Sequence, residues 1–292
     1  MLSSIKSLFS RRVRAAAVAV ALASTALTAG TAQAEEVRPG SAYSLSFGTD
    51  YTSHFISYGA DVWGGGDQYS PFSAKSTAFT YGTLSAALGK MGDDVSFTGF
   101  VNVWADINNN VESGIGGSVQ EIDVNVGVTA SFGAFSVTLA NGLWSYAGDE
   151  EKIADLTVAY ADGDSIIKGF ALNPSVTLHY RYDGNGGQET GLVIVPGIKP
   201  SIKVGEGVYA PTLAFPIAAG FFTEDGFQGG DSGFGFFNAG VAISVPLAFV
   251  PPQFGTWTLS ASATYWYTAQ DQIPNNPEEN FIVTALSLGL AF

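Results

Sequence analysis

From Glu121 to Phe132 the chain alternates without interruption. Ile122, Val124, Val126, Val128, Ala130 and Phe132 fall on one face, and Glu121, Asp123, Asn125, Gly127, Thr129 and Ser131 on the other. A period of two is the pattern of a half-buried β-strand, because successive side chains point to opposite sides. Residues 175–183 set Val176, Leu178, Tyr180 and Tyr182 against Ser175, Thr177, His179 and Arg181. Residues 257–268 repeat the arrangement with Trp257, Leu259, Ala261, Ala263, Tyr265 and Tyr267. Twelve such segments are predicted, near 42–51, 76–88, 95–107, 119–131, 135–145, 153–161, 174–183, 189–204, 208–223, 235–249, 254–269 and 280–292.

Alternation alone fits a soluble sandwich as well as a membrane barrel. Three features favour the barrel. The polar face is built mainly from Ser, Thr, Gly, Ala and Asn, and charged residues make up only 13% of the chain, about half the usual share. Aromatic residues crowd the strand ends, as in interfacial girdles. The chain also ends inside a strand, with Leu286, Leu288, Leu290 and Phe292 at alternate positions. That ending resembles the C-terminal assembly signal of bacterial outer-membrane barrels. The expected fold is therefore all-β, a transmembrane up-and-down antiparallel barrel of about twelve strands.

Lys6, Arg11, Arg12 and Arg14 precede an apolar run over 15–27 and the small-residue site Ala32-Gln33-Ala34. This order predicts a secretory signal peptide over 1–34, with the barrel domain over 35–292. Without residues 1–34, eight basic residues face 26 acids, a balance that disfavours nucleic acid. Cysteine is absent, so disulfides and thiolate chemistry are excluded. The expected location is the outer membrane of a Gram-negative bacterium, among its lipid and lipopolysaccharide. The barrel-assembly machinery is the expected partner during biogenesis, and no cofactor or metal is expected.

With the N-terminus on the periplasmic side, the outer connections become 52–75, 108–118, 146–152, 184–188, 224–234 and 270–279. The inner connections become 89–94, 132–134, 162–173, 205–207 and 250–253. Long loops outside and short turns inside match bacterial barrels. Residues 162–173 are too long for a usual inner turn and suggest a short plug or helical turn. Pro196, Pro200, Pro211, Pro216 and Pro246 predict bends or bulges, since proline cannot donate to a ladder.

Thr49-Asp50-Tyr51-Thr52-Ser53-His54-Phe55-Ile56-Ser57 resembles the first-strand signature of the TorF-type porin family. Gly99-Phe100-Val101-Asn102-Val103-Trp104 resembles that family's third strand, and Glu121-Ile122-Asp123-Val124-Asn125-Val126-Gly127 its fourth. The resemblance covers residues 42–147 and implies an outer-membrane barrel with a pore, without naming a solute. His54 and Phe55 stand where the family has Arg and Gly.

On this register the lumen holds Asp50, Asp106, Glu121, Asp123, Asp155, Asp183 and Glu189, opposed by His179, Arg181, Lys199 and Lys203. Two readings stay open: a charged constriction for polar solutes, or ion pairs that stabilise a narrow barrel. Phe100, Trp104, Trp144, Phe222 and Trp266 face the same way, as a stacking path or as space filling. Asp149-Glu150-Glu151, Glu224-Asp225 and Glu278-Glu279 give acidic outer loops, without the spacing of a calcium loop. His54 and His179 are the only histidines, and neither sits in a His-x-Ser pattern, so no enzyme is expected. Gly64-Gly65-Gly66 lacks the strand–helix setting of a phosphate loop. The expected function is passive diffusion of small polar solutes or ions with mild cation preference. The alternatives are a closed structural or adhesive barrel and a soluble secreted β-protein.

Overall fold

The computed structural model describes residues 42–63, 76–109, 113–163 and 165–292. The expected signal peptide and the triple glycine at 64–66 lie outside the described residues. In chain order the strands are β1 (Tyr43–Thr52), β2 (Ile56–Ser57), β3 (Ala60–Asp61), β4 (Thr77–Met91), β5 (Val95–Ile107), β6 (Val119–Phe132), β7 (Phe135–Tyr146) and β8 (Asp149–Tyr160). They continue with β9 (Pro174–Asp183), β10 (Gly191–Ile198), β11 (Ser201–Lys203), β12 (Thr212–Ala214), β13 (Ile217–Phe222), β14 (Gly233–Pro246), β15 (Thr256–Thr268) and β16 (Asn280–Ala291).

Each long strand pairs antiparallel with its sequence neighbours, and β1 pairs with β16, so the sheet closes into a barrel of twelve wall strands. Closure leaves no edge with unpaired backbone groups, the condition for a sheet in hydrocarbon. The start of β1 and the end of β16 lie at one end, where Leu45 and Phe292 exchange backbone hydrogen bonds. This is the terminal end; the opposite one is the loop end.

The alternation sorts the two faces as the sequence implies. Phe47, Leu84, Val101, Val103, Val124, Val126, Val128, Leu139 and Leu286 are exposed on the outside. In water each would forgo roughly 1.5–3 kcal/mol of burial; hydrocarbon suits the same face. Aromatic pairs mark two girdles. Phe132, Phe135 and Tyr160 pack together at the terminal end, and Tyr180–Tyr182 and Phe234–Tyr267 at the loop end. Leu286, Leu288 and Leu290 share the outward face of β16.

Several expected boundaries are corrected. The second wall strand runs on to Met91 through a bulge at Ala87/Gly89. The segments at 189–204 and 208–223 each break in two. Lys199 and Pro200 separate β10 from β11, and Phe215 and Pro216 separate β12 from β13. The proline ring removes the donor each ladder would need there. Among the described residues of 162–173 the chain forms neither a plug nor a helical turn. The Asp162 carboxylate accepts the Leu172 and Asn173 N–H groups (2.7 and 2.8 Å) and folds this stretch back on itself at the terminal end.

The expected outer connection at 146–152 is a two-residue turn. Ala147 and Gly148 both have positive φ, the backbone that matches the twist of paired strands. Glu150, Glu151 and Lys152 therefore belong to β8, and Glu151 points inward.

The largest departure concerns the connection at 52–75. After β1 the chain turns into the barrel, held by Ser53 N–H to Thr284 O (2.9 Å) and Thr284 N–H to Ser53 Oγ (2.9 Å). Residues 53–63 then form an insert built on the β2–β3 ribbon. Phe55 packs against Phe79 and Trp104 on the wall, with ring centroids 5.1 and 5.5 Å apart. Asn276, in the connection from β15 to β16, clamps the ribbon by donating to Gly59 O and accepting from Asp61 N–H (both 2.8 Å). Ile56 joins Val193, Phe222, Phe227, Phe236, Trp266, Ile273 and Phe281 in one apolar cluster. The loop-end half of the lumen is thus filled, chiefly by wall aromatics and the insert.

Candidate functional site

Because neighbouring strands align residue against residue, inward side chains form rows that climb around the lumen. One row reads Ser244, Ser260, Ser287, Asp50, Phe79, Asp106, Glu121, Tyr146. It begins near the terminal end with hydroxyls and reaches the loop end with carboxylates. A second row reads Tyr81, Trp104, Asp123, Trp144, Glu151. A third carries Asn102, Asn125, Gly142, Ile153 and Arg181, and a fourth Ala140, Asp155, His179, Val193 and Phe222. Acids and aromatics therefore interleave on the inner wall.

Most of these acids have a donor. Asp106 accepts from Thr77 Oγ1 and from Trp63 Nε1 of the insert (2.8 Å). Asp50 accepts from the Tyr81 hydroxyl at 3.4 Å and stands across the ladder from Ser287. Glu151 pairs with Arg181 Nε at 2.9 Å and accepts from Tyr146 Oη at 2.6 Å. Asp155 meets His179 Nδ1 at 2.6 Å. Arg181 also donates to Phe227 O at 2.7 Å and sits 4.0 Å from that ring's centre. His179 lies between Tyr58 and Trp144, with centroids 3.9 and 5.4 Å away.

The structure thus brings together Asp50, Asp106, Glu121, Asp123, Asp155, His179 and Arg181 on the inner wall, all buried. Trp104, Trp144 and Trp266 are buried beside them, and Phe100 is half-buried further toward the terminal end. Gly127 stands across from Phe100, where a Cβ would overlap its ring. Four expected lumen charges lie elsewhere. Lys199 lies in the break between β10 and β11 and the exposed Lys203 ends β11, both near the terminal end, so neither opposes the acids. Asp183 is exposed at the rim with Lys152 (2.6 Å), and Glu189 is exposed in the next connection. On the wall strands six buried carboxylates, counting Glu151, therefore face one arginine and one histidine, and the insert adds the buried Asp61 and His54.

Sequence reasoning missed Glu151 and the insert residues Tyr58 and Trp63. Glu151 shares the parity of Asp155, a signal that was legible once the strand was extended. Nothing in the insert's own sequence tells that it turns inward.

Nearer the terminal end the inner wall is lined by Ser, Thr, Ala and Gly, several of them partly exposed, including Ser46, Thr98, Thr129, Ser131, Ser175 and Ser262. A polar cup therefore lies beneath the filled half. A closed, even-stranded, up-and-down barrel with an apolar belt and a polar interior is the fold of outer-membrane β-barrels.

No family model and no curated protein matches the chain. Among solved structures it is similar to the NanC porin, at 9% identity over 85% of this chain and 98% of that one, with a TM-score of 0.43. It is also similar to the COG4313 outer membrane channel from Pseudomonas putida F1, at 10% identity over 88% and 100%, TM-score 0.47. LpxR from Salmonella typhimurium is similar at 9% identity over 85% and 99%, TM-score 0.42. These likenesses concern the barrel fold alone.

Proposed function

We propose that the protein is a porin-like channel of the bacterial outer membrane, passing small polar solutes or ions by diffusion with a preference for cations. The observation that carries this reading is the surplus of inward carboxylates. A sealed structural barrel would gain nothing from burying seven acids, Asp61 of the insert included, against Arg181 and two histidines, because each unmatched buried ion costs several kcal/mol. Rings of Asp and Glu are what cation pathways use. The row from Ser244 through Asp50 to Glu121 supplies polar groups from the cup toward the loop end. The insert at 53–63 packs into the loop-end half of this pathway, so ions pass when it is displaced and the conductance is low. The expected N-terminal signal and the resemblance of residues 42–147 to TorF-type porins support the outer-membrane reading, which puts the terminal end on the periplasmic side. No enzymatic chemistry is proposed.

A second reading rests on the filled loop-end lumen: a closed barrel whose acidic outer loops, with Glu224, Asp225, Glu278 and Glu279, bind a surface partner. Ion efflux separates the two. Liposomes loaded with potassium chloride and carrying the refolded barrel should release potassium faster than chloride. Release no faster than from empty liposomes, with the barrel folded, would favour the closed reading.

A further inference from the structure

The β2–β3 ribbon of the insert has no third strand beside it. Buried backbone groups need partners, and at the ribbon's tip two side-chain amides supply them. Gln228 Nε2 donates to Ser57 O at 3.0 Å and reaches Tyr58 O at 3.5 Å. Asn276 serves Gly59 O and Asp61 N–H, and its second amide hydrogen goes to Thr268 Oγ1 at 3.0 Å. A carboxamide can do this because it carries both donors and an acceptor. Gln228 belongs to the connection between β13 and β14 (223–232), and Asn276 to that between β15 and β16 (269–279).

Each connection also drives one apolar side chain inward beside its amide. Phe227 and Ile273 are buried, while Asp225, Asp271 and Pro274 next to them are exposed. Phe227 meets Tyr58 edge-on at 6.4 Å and stacks on Phe222 at 5.4 Å. Ile273 joins the apolar cluster that holds Ile56. The two connections are in turn fastened to each other. Asp231 N–H donates to Asp271 O at 2.8 Å, and Gln272 Nε2 to Ser232 O at 3.3 Å. Gly230 lies so close that a Cβ would overlap the Asp271 carbonyl. They form one lid across the loop end, and the insert is bound to its inner side.

We infer that these two connections are the latch of a gate whose moving part is the insert at 53–63. The inference rests on the channel reading and names what controls it. While the two halves of the lid are joined, their amides and apolar anchors hold the ribbon in the lumen; when they part, the ribbon is released. Ser53, tied to Thr284 at the exit from β1, is the hinge. The barrel wall need not change, because the amides and anchors all lie on the connections. A gate latched there answers to events at the loop end.

The chain has no cysteine, so a single pair can be introduced at Asp231 and Asp271, whose backbone hydrogen bond brings them within disulfide reach. The test follows amide hydrogen exchange in peptides covering 53–63 and β6 of the refolded, detergent-solubilised barrel, together with opening frequency in a planar bilayer. Oxidised Asp231→Cys with Asp271→Cys should exchange about tenfold more slowly over 53–63 than its reduced form, and open correspondingly less often. Gly230→Val, which parts the lid without touching the ribbon, should exchange about tenfold faster over 53–63 and open more often. Exchange in β6 should be unchanged in both. The staple decides the matter even if Gly230→Val does not fold, since the reduced form is its reference. A pair that does not oxidise, or exchange over 53–63 indifferent to the staple, would overturn the latch. Exchange that responds in a barrel silent in every state would defeat the channel reading and leave the latch standing.

Discussion

Tyr58 lies face to face with His179, ring centroids 3.9 Å apart and planes within 23°. One ring belongs to the insert and the other to the wall of β9, so the contact ties the insert across the lumen. The tip is tightly made. Gly59 has φ +84°, and a Cβ there would stand 2.7 Å from Ile273 and 2.9 Å from Phe236. Gly59→Val should therefore expel the ribbon while leaving the wall intact, because a β-branched residue is strained at positive φ and meets two packed side chains. The expected result is a several-fold larger single-channel conductance with unchanged heat-modifiable migration. An unchanged conductance would show that the insert does not restrict the path.

The pair of Arg181 and Glu151 is buried on both sides. Removing the guanidinium strands a carboxylate among other acids. Arg181→Met is expected to lower unfolding stability by about 3–5 kcal/mol in a urea titration of the refolded barrel. The double variant Arg181→Met with Glu151→Met should recover most of that loss, since it removes both charges together.

His54 is buried in the insert, with Nδ1 2.9 Å from Ser53 Oγ and its ring 5.7 Å from Phe281. Burial holds its imidazole below the ordinary histidine range. The displaced insert then binds more protons than the packed one, so packing is favoured at higher pH. Its full stability is present above about 6.5 and declines as pH falls below that value. Conductance is expected to rise on acidification through pH 6, measured in bilayers at fixed salt, and His54→Phe should flatten that dependence. A conductance that falls on acidification in the unmodified chain, and equally in the variant, would assign the response to the carboxylates instead.

The wall was legible because a strand writes its two faces into the sequence at a period of two. In β6 the inward set Glu121, Asp123, Asn125 and Gly127 and the outward set Ile122, Val124, Val126 and Val128 follow directly from parity. Glu151 was hidden by its neighbours. Asp149, Glu150 and Lys152 make the stretch look like a loop, and only the positive-φ pair Ala147–Gly148 reveals a two-residue turn. Lys199 and Lys203 carry inward parity, but the break at Pro200 cuts the register that parity depends on. The insert could not be read, because its direction is set by partners far along the chain. Asn276 and Thr284 meet it only when the barrel closes.

The central claim is that cations cross this barrel along its inward carboxylates. Single-channel recording of the refolded barrel, residues 35–292, in a planar bilayer, with the reversal potential taken under a salt gradient, tests it most directly. The account predicts small discrete steps and a cation-selective reversal potential that moves toward zero in Asp106→Asn with Glu121→Gln. A correctly folded, heat-modifiable barrel that stays silent, or conducts with anion preference, would contradict it.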